Sequence, residues 1–200
     1  SLFGTKIITT GEGGIITTND EDLAETCKIM RNHGAIRNPA PVNGIDFGVS
    51  CIEISSNYKM TETSAVLGIA QLKRADEFVY KRNLIADRYR EKITNPKIKF
   101  LNVPDNIVNT WWHYMIELPE GTTLDDRTKL CETLFSEYGI PTANAYWPAC
   151  HMQDVFKQYT IMDNYPAADD ILNRHLSLPM YVEMTFDQVD YISDIINKIV

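Results

Sequence analysis

The helical pattern that opens at Thr61 constrains the fold most, because its character changes along its length. From Ala65 to Ala70 the residues are small and apolar on every side, as in a helix enclosed by other elements. Leu72, Val79, Ala86, Tyr89 and Ile93 then mark one apolar stripe with charges opposite. A helix of about thirty residues that is apolar all round at one end and amphipathic at the other bends and joins two packing environments. The boundary is placed near Arg74 to Asp76, dividing the chain into residues 1–75 and 76–200. The stripe reads as ordinary core packing, and the apolar start also suits a partner subunit.

On both sides of that helix, strand and helix signals alternate, which places the chain in the α/β class. Ile15-Ile16-Thr17-Thr18 reads as a short β-branched strand. Asn19-Asp20-Glu21-Asp22 follows with capping side chains and first-turn acids, and the helix it starts carries Leu23, Cys27 and Met30 on one face until Gly34. Ala35 to Ser55, with Pro39, Pro41, Gly44 and Gly48, reads as a loop or irregular hairpin. Beyond Asn95-Pro96, strands are expected at Ile98 to Leu101 and Trp112 to Leu118, with Trp111 and Trp112 in a core or interface. A helix from Asp125 stops at Tyr138-Gly139, and Ile140 to Asn144 reads as a strand leading to a loop that holds His151. Two helices close the chain, the last from a Thr185-x-x-Gln188 capping box with Val189, Ile192 and Ile196 facing inward.

A formal net charge of −8 argues against nucleic acid and anionic membrane as partners, since a phosphate polymer meets repulsion over the average surface. The 44% hydrophobic content is enough for a sizeable core in a chain of 200 residues. Cys27, Cys51, Cys131 and Cys150 are far apart with no Cys-x-x-Cys pair, so they read as buried reduced thiols and no metal site is expected. No apolar run reaches the ~18 residues of a membrane span, and the start has no signal-peptide pattern, so a cytoplasmic location is expected.

The chemistry concentrates at the start, Ser1-Leu2-Phe3-Gly4-Thr5-Lys6-Ile7-Ile8-Thr9-Thr10-Gly11-Glu12-Gly13-Gly14. A lysine amine freed of its proton attacks carbonyl carbons, and a loop of hydroxyls and glycines lets backbone N–H groups close on a phosphate. The segment resembles the lysine segment of the DegT/DnrJ/EryC1/StrS sugar aminotransferases, Ser-Phe-x-x-x-Lys-x-x-(Thr)-Thr-Gly-Glu-Gly-Gly, with Leu2 in place of the usual Phe. Ser56-Asn57-Tyr58-Lys59-Met60-Thr61-Glu62 resembles that family's Gly-x-Asn-Tyr-Arg-Met-Thr-Glu, and Leu67-Gly68-Ile69-Ala70-Gln71-Leu72 its Leu-Gly-x-x-Gln-Leu. Ala145-Tyr146-Trp147-Pro148-Ala149-Cys150-His151-Met152-Gln153 is similar to its aromatic-aromatic-Pro-x-His-x-Gln stretch, and Leu178-Pro179-Met180-Tyr181 with Thr185 to its closing segment.

The resemblance implies a fold-type I transferase of the aspartate aminotransferase kind, in its C-terminal portion: the end of the pyridoxal phosphate (PLP)-binding large α/β domain over 1–75, then a linking helix and small α/β domain over 76–200. It implies that Lys6 holds PLP as a Schiff base, that Ser1 bonds the cofactor phosphate, and that Asn57 reaches the phosphate bound to the other subunit of a homodimer. Lys59, where the family has arginine, and His151 are the implied substrate-binding residues, although Lys59 lacks the planar fork of a guanidinium. Arg31, His33 and Arg37 are further candidate cations for a sugar nucleotide. The implied activity transfers an amino group, from glutamate, to a nucleotide-linked keto sugar of the 4-keto-6-deoxy, perosamine type, for polysaccharide biosynthesis. The family's enzymes are about twice as long, so the partner carboxylate of the pyridine nitrogen is expected upstream and the isolated piece is expected to be inactive. The alternative is a non-catalytic scaffold of the same fold; retention of Ser1, Lys6 and Asn57 together argues against it.

Overall fold

A computed structural model describes residues 1–37, 48–143, 147–159 and 165–200. They fall into two units, Ser1–Ala75 and Asp76–Val200.

In the first unit, helix α1 spans Glu21–Arg31. Asp20 caps it by accepting a bond from the Leu23 N–H at 3.0 Å, Glu21 and Asp22 sit at the positive end of the helix dipole, and Lys28 and Arg31 at the negative end. His33 and Gly34 turn left-handed at φ 63° and 66°, and the Gly34 N–H closes on the Ile29 carbonyl at 3.0 Å. A Cβ on Gly34 would lie 2.0 Å from the Glu53 carbonyl oxygen, so no other residue fits this stop. Strand β1 (Ala35–Arg37) pairs antiparallel with β2 (Val49–Cys51), the irregular hairpin the prolines and glycines imply; Pro39, Pro41 and Gly44 lie outside the described residues. Helix α2 spans Glu62–Leu72 and is capped by the Thr61 hydroxyl.

Two expectations fail here for one reason. Ile15 to Thr18 has no ladder partner among the described residues and is exposed throughout, so it is not a strand. Helix α2 is not enclosed: Val66, Ile69 and Leu72 are 66%, 57% and 60% exposed. A strand exists only through a neighbour's hydrogen bonds, and an all-apolar helix is buried only if other elements cover it. Among the described residues this unit buries two apolar side chains, Leu2 and Ala35, too few for a core of its own.

The expected long helix is two helices, because α2 ends at Leu72 and α3 (Ala75–Lys92) begins after a turn at Lys73-Arg74. In the second unit, β3 (Lys99–Phe100), β4 (Tyr114–Glu117) and β5 (His175–Leu178) form an antiparallel sheet in the order β3-β4-β5. Tyr114 lies opposite Leu178 and Ile116 opposite Leu176, so these four form one face. That face meets Tyr89 and Ile93 of α3, Leu134 of α4 (Leu124–Tyr138), and Val189, Ile192 and Ile196 of α6 (Phe186–Ile199) in a core of sixteen buried residues, enough to stabilise this unit where the first has two. Tyr89 stacks on Tyr114 with ring centroids 4.8 Å apart, and burial pushes both phenols well above their ordinary range.

The expected stop at Gly139, φ 66°, and the expected Thr185–Gln188 box on α6 are present, and α4 starts from a capping box of Thr123 and Asp126 that was not among the expectations. Arg88 clamps α3 to α6 by a two-pronged bond to Asp190, Nε at 2.7 Å and Nη2 at 2.6 Å, and this bond holds the Asp190 carboxyl below its usual range. Trp111 is core, as expected, and it is held at a left-handed φ of 50° by bonds from its backbone N–H to Asn109 and from its indole N–H to Asn83. Of the expected strand Ile140 to Asn144, the described residues 140–143 form none: Ala143 alone bridges Ser177, and Asn144 lies outside the described residues. Strand β5 was not foreseen, since His-Leu-Ser-Leu follows helix α5 (Pro166–Arg174) with no turn residue between them.

Candidate functional site

The opening loop folds around Leu2 and Thr10. The Leu2 N–H donates to the Gly13 carbonyl at 2.8 Å, the Leu2 carbonyl accepts from the Thr10 N–H at 3.0 Å and from the Thr9 hydroxyl at 3.0 Å, and Leu2 and Thr10 are buried. The Thr9 hydroxyl also accepts from the Gly11 N–H at 2.9 Å, and the Thr10 hydroxyl donates to the Glu12 carbonyl at 2.7 Å. Gly11 and Gly13 have φ values of 83° and 146°, which side chains disfavour. Hydroxyls at 9 and 10 and glycines at 11 and 13 therefore serve first to shape the loop.

Lys6 sits at the tip of that loop, its N–H folded back on the Phe3 carbonyl at 2.9 Å and its side chain half-buried. Ser1, exposed, accepts loosely from the Phe3 N–H at 3.4 Å. The Lys6 amine and the Ser1 hydroxyl thus belong to the same short loop.

Asn57 and Lys59 lie on a second segment, pinned to the end of α1. The Ser55 hydroxyl donates to the Met30 carbonyl at 2.6 Å, the His33 N–H to the Ser56 carbonyl at 2.9 Å, and the Tyr58 N–H to the Arg31 carbonyl at 2.9 Å. Asn57 is exposed, and its Oδ1 accepts from the Lys59 N–H at 3.2 Å. With the oxygen engaged, the amide NH2 is the donor Asn57 has for an anion. Arg31, His33 and Lys59 are exposed, and the Arg37 side chain lies outside what is described.

His151 belongs to the second unit, on a 3-10 turn at Cys150–Met152. Its Nε2 is 3.0 Å from Asp169 Oδ1, and its ring lies 4.6 Å from that of Tyr165. Ala145 and Tyr146, which precede it in the motif, lie outside the described residues. The cysteines depart from expectation: Cys51 and Cys150 are exposed and Cys27 and Cys131 half-buried, all four free. No cluster of metal-ligating side chains occurs among the described residues.

Thr10 and Gly68 carry structure that the motif alone did not assign. A Cβ on Gly68 would lie 2.8 Å from Thr10 Cγ2, so this glycine lets α2 seat against the loop that carries Lys6. Gly68→Val in the complete polypeptide is expected to lower stability by about 1–3 kcal/mol, as overpacking does, read by thermal unfolding. An unchanged midpoint would mean that the loop does not rest on α2.

The sequence pattern of the DegT/DnrJ/EryC1/StrS aminotransferase family matches residues 1–197. The chain belongs to this family. It is 30% identical to the GDP-perosamine synthase of Escherichia coli O157:H7 over 99% of this chain and 50% of that protein. It is 32% identical to the spore coat polysaccharide biosynthesis protein SpsC of Bacillus subtilis over 100% of this chain and 52% of that one. Among solved structures it is similar to PseC of Helicobacter pylori, an aminotransferase of pseudoaminic acid biosynthesis, with a TM-score of 0.87 and 26% identity over 99% of this chain and 51% of that one. The chain therefore spans about half the length of the relatives it matches, and its fold is the C-terminal portion of a fold-type I transferase. No helix among the described residues is long and apolar enough to cross a membrane.

The residues of the first loop suit pyridoxal phosphate, the cofactor of such enzymes. The group requires one nucleophilic amine and hydrogen-bond donors for its phosphate, and Lys6, Ser1 and, on the second segment, the amide of Asn57 are of those kinds.

Proposed function

We propose that this chain is the C-terminal half of a PLP-dependent aminotransferase that moves an amino group, from glutamate, to the keto carbon of a nucleotide-linked sugar, a 4-keto-6-deoxyhexose of the perosamine type. The observation that carries this reading is the single half-buried lysine on a loop shaped by Thr9, Thr10, Gly11 and Gly13. The GDP-perosamine synthases of Escherichia coli O157:H7 and Caulobacter vibrioides, at 30% and 31% identity, support the sugar class.

Lys6 would hold the cofactor through Nζ, with the Ser1 hydroxyl and, from the other subunit of a homodimer, the Asn57 amide on its phosphate. Bound there, the cofactor supplies a carbonyl carbon that accepts the amino group and a ring that draws electrons from it. The Lys6 Nζ would also be the base on the same loop that takes a proton from the donor Cα and returns it to the carbon on the far side of the transferred nitrogen. The same nitrogen runs the transfer in reverse on the sugar. Lys59 and His151 would meet the nucleotide-linked sugar, and the enzyme would work in the cytoplasm, making precursors of cell-surface polysaccharide.

The first unit supports the reading of a half-domain. Its exposed α2 face and its unpaired Ile15 to Thr18 segment are what a domain looks like without the elements that complete it. The complete polypeptide, supplied with pyridoxal phosphate, glutamate and a GDP-linked 4-keto-6-deoxyhexose, is expected to form the 4-amino sugar, detected by mass spectrometry. These 200 residues alone are expected to form none. No product from the complete polypeptide with any nucleotide-linked keto sugar would refute the reading.

A further inference from the structure

We propose that Asp169 is a positioning residue for His151: its carboxylate holds the ring by Nε2–H, so that Nδ1 is the nitrogen left to meet an oxygen of the substrate's diphosphate. The proposal rests on the reading that His151 meets the nucleotide-linked sugar.

His151 stands on a one-turn 3-10 segment, and nothing in such a turn fixes the rotation of a side chain. Two contacts from another element do. Asp169 Oδ1 lies 3.0 Å from Nε2, and the Tyr165 ring lies 4.6 Å away at an interplanar angle of 34°, so one contact sets the edge of the imidazole and the other its plane. The His151 side chain is 19% exposed, which leaves an opening rather than a free surface.

An ionised carboxylate only accepts hydrogen bonds, so the proton of this contact belongs to Nε2. A second proton on the ring must then lie on Nδ1, where it becomes a charged donor matched to phosphate oxygens. Acid in the first turn of a helix is often explained by the helix dipole alone. On α5 the two neighbouring carboxylates are used differently: Asp170 pairs with Arg174 at 2.9 Å along the helix, whereas Asp169 reaches off it to His151. A second charged pair near this turn among the described residues, Lys157 with Asp154 at 2.6 Å, lies within its own 3-10 segment.

The test uses the complete polypeptide with GDP and UDP titrated separately by calorimetry, beside nitrogen-15 NMR of labelled histidine. For the diphosphate that binds, His151→Ala and Asp169→Asn are each expected to weaken binding about tenfold, the scale of one charge-assisted hydrogen bond. The double variant should be no weaker than His151→Ala, and Asp169→Glu should restore most of the loss. The Nε2-protonated signature of His151 should give way to a mixture in Asp169→Asn. If His151→Ala weakens binding but Asp169→Asn does not, or if the tautomer is unchanged, the positioning role is overturned while the binding role of His151 stands. If His151→Ala leaves both diphosphates unaffected, the reading of His151 fails and the positioning role falls with it.

Discussion

Lys6→Ala in the complete polypeptide is expected to lower amino transfer by about ten-thousandfold, the upper range for loss of a positioned proton-transfer group, and to abolish the visible absorbance of bound cofactor. The effect is large because one atom would do two jobs. Nζ would anchor the cofactor and then carry the proton; the next lysine along the chain, Lys28, lies in α1 and pairs with Glu25. Lys6→Arg is the informative control. It keeps the positive charge but not a nucleophilic amine, so it should be as inactive as the alanine variant. Borohydride reduction followed by peptide mass spectrometry should find the label at Lys6 in the parent and nowhere in either variant. Activity that survives in Lys6→Arg would mean that charge at this position, rather than the amine, is what matters.

The second large effect concerns the two units. Residues 76–200 are expected to fold alone with a stability of ~5–10 kcal/mol, and residues 1–75 to remain unfolded. The difference follows from burial. The second unit has a sixteen-residue apolar core closed by two capping boxes and the Arg88–Asp190 clamp, whereas the first buries Leu2 and Ala35 among its described residues. Backbone ordering costs about 1–2 kcal/mol per residue, and two buried side chains return only a few. Brief proteolysis of the 200-residue chain should therefore leave a resistant fragment that starts near residue 76. Cooperative thermal unfolding by residues 1–75 alone would contradict this, and so would failure of 76–200 to fold.

The residues that could be read from the chain are those whose cause is local. Asp20 and Thr185 cap helices through bonds to backbone N–H groups three residues on, so their meaning travels with the sequence. Gly34 and Gly139 stop helices because only glycine turns left-handed without cost. The lysine loop and the Asn57 segment were legible for a different reason, a similarity of pattern to a family, which the match over residues 1–197 bears out for membership. What each of their side chains does remains a proposal resting on that likeness and on the donors and acceptors each presents.

The errors cluster where a residue's state depends on something distant. Ile15 to Thr18 has the composition of a strand and α2 that of an enclosed helix, yet neither pairing nor cover can come from the segment itself. Strand β5 was missed for the converse reason: four residues with no turn signal become a strand because β4 lies beside them. Asp169 had no motif to announce it, and its link to His151 spans eighteen positions.

By itself, then, the amino-acid order determined several helix caps and stops and the family, since each is written in neighbouring residues. Tertiary structure alone decided which apolar faces are covered, that Gly68 is there to admit Thr10, and that His151 answers to a carboxylate and a tyrosine ring. The physical reason is range: caps and turns act through bonds a few residues long, whereas burial and side-chain orientation are set by whatever the folded chain brings alongside.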